Sequence, residues 1–352
     1  MPANKNSLNQ KIGKIIWRCP SNIAIVKYWG KKEGQIPSNS SLSMTLSHSF
    51  TEIELDFNDR KTTSGIELDY FFENKKNAEF ENRVRKYLDE QSGFFPVLNR
   101  YAVRMNSRNS FPHSAGIASS ASAFGAVALS LLDASFIVNN QLLDDSFFRQ
   151  SSELARKGSG SACRSMYSGF VLWGKNEFMQ GSSNEFAVPV LSVHDNFKRL
   201  HNAILIVDNS PKKISSSIGH SLMDQNVYAK SRFAQANERT SQLIKVLANG
   251  DFEEFIKIAE SEALTLHAMM MTSENYYLLM KPGTLSAINK ITTFRKETGI
   301  PVCFTLDAGP NVHLLYPEAD KNKVEYFIKN DMKDNIGAVI FDKIGMGPQK
   351  IK

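Results

Sequence analysis

The chain has 352 residues, 42% of them hydrophobic, which suffices for about two domains with cores of their own and excludes a mainly disordered state. Its net charge of +6 is spread without a basic block, which fits small anionic ligands better than a nucleic-acid groove. No run of eighteen apolar residues occurs and the start lacks the apolar stretch of a signal peptide, so a cytoplasmic protein without a membrane span is predicted.

The first part of the chain shows mainly strand patterns. Two short apolar runs are joined by Pro20, and three later segments alternate apolar with polar residues. The predicted strands are 12–18, 22–29, 51–57, 65–71 and 101–107. Because alternation leaves one face polar, we expect an antiparallel sheet with one solvated face.

Helical patterns interrupt and follow these strands. Segment 79–91 has apolar residues at helical spacing, 117–138 is too long and apolar for a strand, and a third helix is predicted from Asp144 to Lys157. Residues 174–197 mix Gly, Ser, Asn and charges, which is typical of a turn-rich connection. We therefore place a domain boundary near residue 190.

The remaining chain mixes both kinds of element. Helices are predicted at 231–250, 251–271, 284–297 and 321–330, and strands at 201–208, 301–306, 311–316 and 337–341. Asn249-Gly250 closes one helix and Asp251 can cap the next. Since strands and helices do not alternate strictly, the sequence predicts an α+β fold.

The segment NSFPHSAGIASSASAFG, residues 109–125, opens the long apolar helix with small residues. The free amides and positive dipole of a helix N-terminus suit a phosphate group, and Ser119, Ser120 and Ser122 could donate hydrogen bonds or hold a divalent cation. Small residues equally allow close helix packing, so both interpretations stay open. No GxxxxGK[ST] motif occurs, so a nucleotide would need a different loop.

Two further segments combine cations with unusual neighbours. In residues 155–174, Ser159 and Ser161 flank a Gly/Ser turn beside Arg164, whose planar guanidinium can bind two phosphate oxygens; the alternative is a surface turn with a solvated arginine. Lys27 and Lys31 enclose Tyr-Trp-Gly. A lysine beside aromatic bulk is either partly desolvated to serve an anion or a snorkelling lysine at a strand end.

Asp307 follows an apolar strand directly before a Gly-Pro turn. A carboxylate at a strand end can face a cleft as a base or stabilise positive charge, or it can bond nearby amides as a turn residue. The seven histidines show neither HExxH nor HxH spacing, so imidazole ligation of a metal is not predicted. His267, in an apolar helix, is predicted to be a hydrogen-bonded core residue.

The segments SNIAIVKYWGK, PHSAGIASSASA, ARKGSGSACRS and FTLDAGPN, in this order, closely resemble diphosphomevalonate decarboxylases of the GHMP kinase superfamily. The resemblance runs from about residue 12 to about residue 345. It implies an N-terminal domain, 1–190, like the second domain of a small-subunit ribosomal protein, and a ferredoxin-like C-terminal domain, 191–352. The active site would lie between them, and a homodimer is expected.

The resemblance also implies a reaction: ATP and Mg²⁺ phosphorylate the 3-hydroxyl of mevalonate 5-diphosphate, and loss of phosphate and CO₂ then gives isopentenyl diphosphate of isoprenoid biosynthesis. By motif position the catalytic residues would be Lys27 and Asp307. The substrate-binding positions would be Asn22, Tyr28, Lys31, Arg83, Ser159 and Arg164. The nucleotide-binding positions would be Ser107, Gly116, Ala118, Ser119 and Ser120, with Ser120 also a ligand of the metal.

Two alternatives share these motifs. The first is a mevalonate-type small-molecule kinase or a phosphomevalonate decarboxylase, because the same phosphate loop serves the kinases of the superfamily. The second is a non-catalytic nucleotide-binding member. The presence of both Lys27 and Asp307 argues against a pure kinase and against a non-catalytic protein.

Overall fold

The computed structural model describes residues 12–112, 117–210 and 216–352. Within these ranges the strands are β1 (Ile15–Val26), β2 (Lys31–Lys32), β3 (Ile36–Pro37), β4 (Ser41–Asp59), β5 (Leu68–Phe72), β6 (Lys75–Lys76), β7 (Tyr101–Asn109), β8 (Phe170–Trp173), β9 (Ala187–Pro189), β10 (Leu200–Ile206), β11 (Cys303–Leu306), β12 (Val312–Pro317), β13 (Ala338–Lys343) and β14 (Gln349–Lys350). The α-helices there are α1 (Ala78–Gln91), α2 (Val97–Arg100), α3 (Ser119–Val138), α4 (Asp145–Gly158), α5 (Asp195–Lys198), α6 (Ser216–Ser221), α7 (Ala229–Asn249), α8 (Phe252–Met271), α9 (Pro282–Thr298) and α10 (Lys321–Asp331). The mixture confirms the predicted α+β class.

The larger sheet has the strand order β14-β1-β4-β7-β5-β6, and β8 joins it through β4. The predicted antiparallel pairing is correct for β1 with β4 and for β4 with β7. It is wrong for β5, which runs parallel to β7. Helices α1 and α2 lie between these two strands in the chain and return it to the same end of the sheet, as a parallel pair requires.

The two apolar runs around Pro20 form the single strand β1 instead of two strands. Pro20 pairs with Phe50 of β4, and the register shifts between Pro20 and Asn22 and again between Ala24 and Val26. Proline cannot donate a ladder hydrogen bond, and a bulge is one of the few places in a sheet that tolerate it. The strand therefore continues through the proline and ends beside Lys27.

Helix α3 is the core helix of this half. It is long and apolar enough to cross a membrane by composition, but 83% of its apolar window is buried inside the protein. Its Gly125 allows close packing, since a Cβ there would lie 2.4 Å from the Cys19 Sγ atom. The prediction of a buried helix is confirmed, and the close-packing interpretation of its small residues holds at Gly125.

The second half contains a four-stranded antiparallel sheet in the order β11-β12-β10-β13. Alternate residues of β10 face opposite sides: Ala203 and Leu205 join a core with α9 and α10, whereas Ile204 and Ile206 join one with α7 and α8. The latter core also includes Ile23 and other residues of the first half. Helices α7 and α8 thus lie between the two sheets.

The end of the chain ties the halves together. Asp342 of β13 accepts hydrogen bonds from the main-chain amides of residues 47–49 at 2.8–2.9 Å. Strand β14 pairs with β1, and Lys350 contacts the buried Asp133 of α3. The boundary near residue 190 falls between β9 and α5 and stays a prediction.

Candidate active site

Lys27 follows β1 directly and is only 2% exposed. Its Nζ atom lies 2.5 Å from the main-chain oxygen of Ala24 and 3.2 Å from Oδ1 of Asp307. Burial lowers the pKa of Lys27, and the charges of Asp307 and Glu262 partly offset that effect. The lysine is therefore desolvated beside an anion, and the alternative of a snorkelling lysine is wrong.

Asp307 follows β11 directly, in a turn closed by a hydrogen bond from the Gly309 amide to the Asp307 main-chain oxygen, 2.7 Å long. Its side chain is 26% exposed, so it reaches solvent while it contacts Lys27. Lys27 belongs to the first half and Asp307 to the second. Their ion pair therefore marks a site at the junction of the halves.

Arg164 lies in the 3₁₀ turn Gly160–Met166 that follows α4 and is 3% exposed. Its Nη1 donates to the Ser41 hydroxyl at 2.8 Å, whereas its Nε is buried without a hydrogen-bond partner among the described residues. The interpretation of a solvated surface arginine is wrong. A buried guanidinium with a free donor can bind an anionic ligand.

Tyr28 and Asn22 contact the same 3₁₀ turn. The Asn22 amide donates to the Ser161 main-chain oxygen at 3.2 Å and to the Ser165 hydroxyl at 2.9 Å. A Cβ at Gly160 would lie 2.8 Å from the Tyr28 hydroxyl, so only glycine fits there. The Tyr28 hydroxyl and the Asn22 Oδ1 are buried without partners in the described part of the chain.

The start of α3 lies beside this turn. The Ser120 hydroxyl is 3.2 Å from that of Ser159, the residue that caps the end of α4. Ala118 is the N-cap of α3, and the Ser119 hydroxyl donates to the Ile117 main-chain oxygen at 3.2 Å. The predicted phosphate position Gly116 lies outside the described residues.

Lys31 is half-buried, and its Nζ donates to Gln35 at 3.1 Å. Burial lowers the pKa of Lys31. Between it and Lys27, Gly30 adopts a positive φ of 97° and donates its amide to Nδ1 of His220 at 3.0 Å. Burial, with the charge of Lys31, lowers the pKa of His220 to about 3, so a neutral imidazole supports this loop.

Two predicted positions do not join this cluster. Arg83 is exposed on α1, where its charge acts on Tyr70 of β5. Ser107 is buried in β7 and hydrogen-bonds the Tyr70 side chain. In the sheet order, β7 and β5 lie on the far side of β4 from β1, the strand that leads to Lys27. The described contacts do not link Arg83 or Ser107 to the ion pair, and their binding roles stay predictions.

Sequence reasoning missed the role of α8. Glu262 is fully buried there, accepts the Lys27 amide at 2.8 Å, and forms ion pairs with Arg232 and Arg239. His267 is buried and contacts the Asp307 main-chain oxygen at 3.1 Å, which confirms the predicted hydrogen-bonded core histidine. The signal for Glu262 was a charged residue within an apolar helical segment.

The site offers cations and hydroxyls to a polyanion. Lys27, Lys31 and Arg164 are the cations described above, and Asp307 is the partly exposed carboxylate beside them. No group of three or more His, Cys, Asp or Glu residues that could hold a metal ion occurs in the described ranges. A hydroxyl such as that of Ser120 fits Mg²⁺, which commonly keeps waters and binds phosphate oxygens in nucleotide sites.

Solved structures share this fold. The chain is 29% identical to mevalonate diphosphate decarboxylase from Staphylococcus aureus, with a TM-score of 0.81 and coverage of 96% of this chain and 98% of that one. It is 25% identical, with a TM-score of 0.78, to MDDEF in complex with MVAPP, AMPPCP and magnesium, covering 96% and 99% of the two chains. The α+β fold is thus of the GHMP kinase type.

Sequence comparison identifies the family to which the chain belongs, whereas the solved structures establish its fold. Residues 19–184 match the model of the diphosphomevalonate decarboxylase-like N-terminal domain, and residues 202–337 match that of the mevalonate 5-diphosphate decarboxylase C-terminal domain. A diphosphomevalonate decarboxylase of Ganoderma lucidum is 31% identical over 337 residues, 88% of this chain and 80% of that protein. The chain belongs to the diphosphomevalonate decarboxylase family.

Proposed function

We propose that this protein uses ATP and Mg²⁺ to decarboxylate mevalonate 5-diphosphate to isopentenyl diphosphate. The observation that supports this most is the ion pair between the buried Lys27 and the partly exposed Asp307, 3.2 Å apart at the junction of the two halves. Family membership supports the reaction, as does the similarity to MDDEF, which was solved with MVAPP, AMPPCP and magnesium.

The chemistry needs an anion at one point of the cleft. Hydroxide is a poor leaving group and phosphate a good one, so the tertiary hydroxyl is phosphorylated before it leaves. Departure of phosphate leaves positive charge on the carbon whose neighbour loses CO₂. Asp307 lies 3.2 Å from the Lys27 ammonium group, and its carboxylate can accept the hydroxyl proton or offset the positive charge.

The substrate's diphosphate would bind at the 3₁₀ turn Gly160–Met166. Arg164 supplies a buried guanidinium with a free donor, and the Ser159 hydroxyl adjoins the turn. Tyr28 and Asn22 contact the same turn and each has a polar atom without a partner among the described residues, and Lys31 adds a cation in β2. These groups would hold the substrate while Asp307 faces its reacting carbon.

The phosphates of ATP would lie at the start of α3, where helix dipole and main-chain amides favour anions. Ala118 and Ser119 bring the main chain there, and Ser120 offers its hydroxyl to the nucleotide and Mg²⁺. Bound Mg²⁺ supplies neutralisation of the phosphate charge during transfer. The small side chains at this point leave the main chain accessible.

The test is a stoichiometry measurement. Purified protein is incubated with ATP, Mg²⁺ and mevalonate 5-diphosphate, and we expect ADP and CO₂ in equal amounts. ADP without CO₂ would make the protein a kinase. Mevalonate 5-phosphate, run in parallel, should react more slowly; a preference for it would make the protein a phosphomevalonate decarboxylase. Nucleotide-dependent thermal stabilisation without turnover would indicate a non-catalytic member.

The homodimer and the cytoplasmic location stay predictions, and light scattering tests the predicted homodimer.

A further inference from the structure

Helix α8 lies between the two strands that lead to the catalytic pair. It packs against β11, which precedes Asp307, and against β1, which precedes Lys27. Two of its polar side chains, Glu262 and His267, are 0% and 1% exposed. Buried polar groups are costly unless they are hydrogen-bonded, so their partners show what they do.

Glu262 holds the main chain at Lys27. Its Oε2 accepts the Lys27 amide at 2.8 Å, just beyond the end of β1. Arg232 donates hydrogen bonds to both carboxylate oxygens at 2.9 and 2.6 Å, and Arg239 donates one to Oε1 at 3.0 Å. The two guanidinium groups fix the carboxylate, and the carboxylate in turn fixes the lysine's main chain.

His267 holds the main chain at Asp307. Its Nε2 lies 3.1 Å from the Asp307 main-chain oxygen, which also accepts the Gly309 amide at 2.7 Å. Burial lowers the pKa of His267 to about 4, so the ring is neutral near pH 7 and its single N–H is on Nε2, the atom that donates. The carbonyl direction, and with it the main chain that carries the Asp307 side chain, is thereby held.

We propose that Glu262 and His267 are positioning residues: one rigid helix holds the main chain of both catalytic residues and so fixes how Lys27 and Asp307 meet. The two side chains are five residues apart, ~7.5 Å along the helix axis. The catalytic residues themselves come from opposite ends of the chain and from different sheets. This inference rests on the proposed decarboxylase function, which gives Lys27 and Asp307 their catalytic roles.

Packing alone does not account for this arrangement. A buried cluster of one carboxylate and two guanidinium groups is a poor stabiliser compared with apolar residues of similar volume, because desolvation offsets the attraction. Glu262 nevertheless contacts Lys27 through the amide and not through the ammonium group. A group that holds the backbone of a reactive residue controls geometry, and a misplacement of about 1 Å can cost about 100-fold in rate.

The first test removes the donor at His267. In His267→Phe we expect kcat, and the rate in a single turnover, to fall about tenfold or more, with the KM for mevalonate 5-diphosphate within about twofold of wild type. His267→Gln restores an N–H donor at a similar reach and should recover a large part of the lost rate. A merely structural role would not give rescue by Gln together with an unchanged KM.

The second test moves the anchor at Glu262. Glu262→Asp keeps the charge that Arg232 needs but retracts the carboxylate by about one C–C bond, ~1.5 Å, away from the Lys27 amide. We expect the same fall in kcat at nearly constant KM. This variant keeps the proposal testable even if His267→Phe does not fold.

The matched control is Glu260→Gln on the same helix. Glu260 forms a two-pronged ion pair with Arg295, at 2.6 and 3.0 Å, and accepts the Phe304 amide at 3.3 Å, an acceptor that Gln retains; it contacts neither catalytic residue. Loss of the Glu260 charge in this variant should lower thermal stability while leaving kcat near the wild-type value. A fall in kcat equal to that of the Glu262 variant would overturn the proposal, because any loss of stability in α8 would then suffice.

The outcomes separate the two proposals. If the wild-type protein releases no CO₂ from mevalonate 5-diphosphate, the proposed function fails. If the wild type turns over but Glu262→Asp and the folded His267→Phe keep its kcat within about twofold, the positioning role is wrong. Equal losses in His267→Phe and His267→Gln, with both variants folded, would also overturn it.

Discussion

Replacing Asp307 by Asn tests the centre of the proposed site. The substitution keeps the shape of the side chain but removes the charge that faces Lys27 at 3.2 Å. We expect turnover to be lost while nucleotide affinity stays nearly unchanged, because the carboxylate acts on charge that develops during the reaction and not on ATP in the ground state.

The loss of stability expected in Asp307→Asn follows from how deeply the Lys27–Asp307 ion pair is buried. Loss of one partner from a fully buried ion pair costs about 3–5 kcal/mol, and exposed pairs contribute about 0–1 kcal/mol. Lys27 is 2% exposed and Asp307 26%, and Lys27 keeps its bond to Ala24, so we expect destabilisation of about 1–3 kcal/mol. In the folded variant kcat should fall by about 10²–10⁴, as for loss of a general base or a preorganised charge.

The assay compares CO₂ release from carboxyl-labelled substrate with thermal stability and with ATP-dependent thermal shifts. Asp195→Asn, which removes the exposed carboxylate paired with Lys198, is the control and should behave as wild type. A kcat within about a factor of ten of wild type would remove Asp307 from the mechanism. Loss of ATP binding in Asp307→Asn would instead show that the residue acts on the ground state.

Three further perturbations address the clamp, the end of the chain and the buried histidines. Arg164→Ala, which also removes the partner of Ser41, should raise KM and lower kcat. The combined loss in kcat/KM should correspond to about 1.5–3 kcal/mol, and unchanged values would refute the role of Arg164 in binding the diphosphate. Lys350→Ala leaves the buried Asp133 without that cation and should lower the urea unfolding free energy by about 1–2 kcal/mol without changing KM. Burial lowers the pKa of His313 to about 4, so between about pH 6.5 and 4 the unfolded state binds a proton that the folded state does not. The free energy of unfolding therefore decreases as the pH is lowered through this range, by up to about 1.4 kcal/mol per pH unit. In urea titrations between pH 7 and 5, His313→Gln should show a shallower loss than wild type, and an identical slope would refute this.

Local sequence singled out three charged groups of the site but left an alternative open for each. Lys27 stands beside residues that a plain surface rarely combines, Arg164 follows a Gly/Ser turn, and Asp307 ends an apolar strand; their roles came from the family resemblance. Their partners could not be derived in the same way. Lys27 meets Asp307 across 280 positions because the two halves pack together, and Arg164 meets Ser41 across 123 because the first half folds back on itself. Spacing along a chain carries no information on such contacts.

The errors in the fold have a common origin. Alternation showed that 65–71 is a strand but not which neighbour it pairs with, and α1 and α2 made that pairing parallel. Pro20 suggested a break, yet the bulge after it let β1 continue. Residue patterns report the environment of a side chain, whereas direction and register depend on connections elsewhere in the chain.

Glu262 and His267 were the hardest residues to assign. Within an apolar segment a single polar residue predicts a core position with some hydrogen-bond partner, and that prediction is correct for His267. It does not say that the partner is the main chain of Asp307. Main-chain contacts leave no trace in the identity of the contacted residue, so only the folded structure reveals them.

The charges of the site explain why it needs an anionic substrate. Five buried or partly buried cations accompany two carboxylates: Lys27, Lys31, Arg164, Arg232 and Arg239 beside Glu262 and Asp307. Burial lowers the pKa of both Lys27 and Arg164, which means that desolvation of their charges is not fully offset by the neighbouring carboxylates. A polyphosphorylated acid supplies the missing negative charge, and the energy gained when it does so is available to hold the substrate against Asp307.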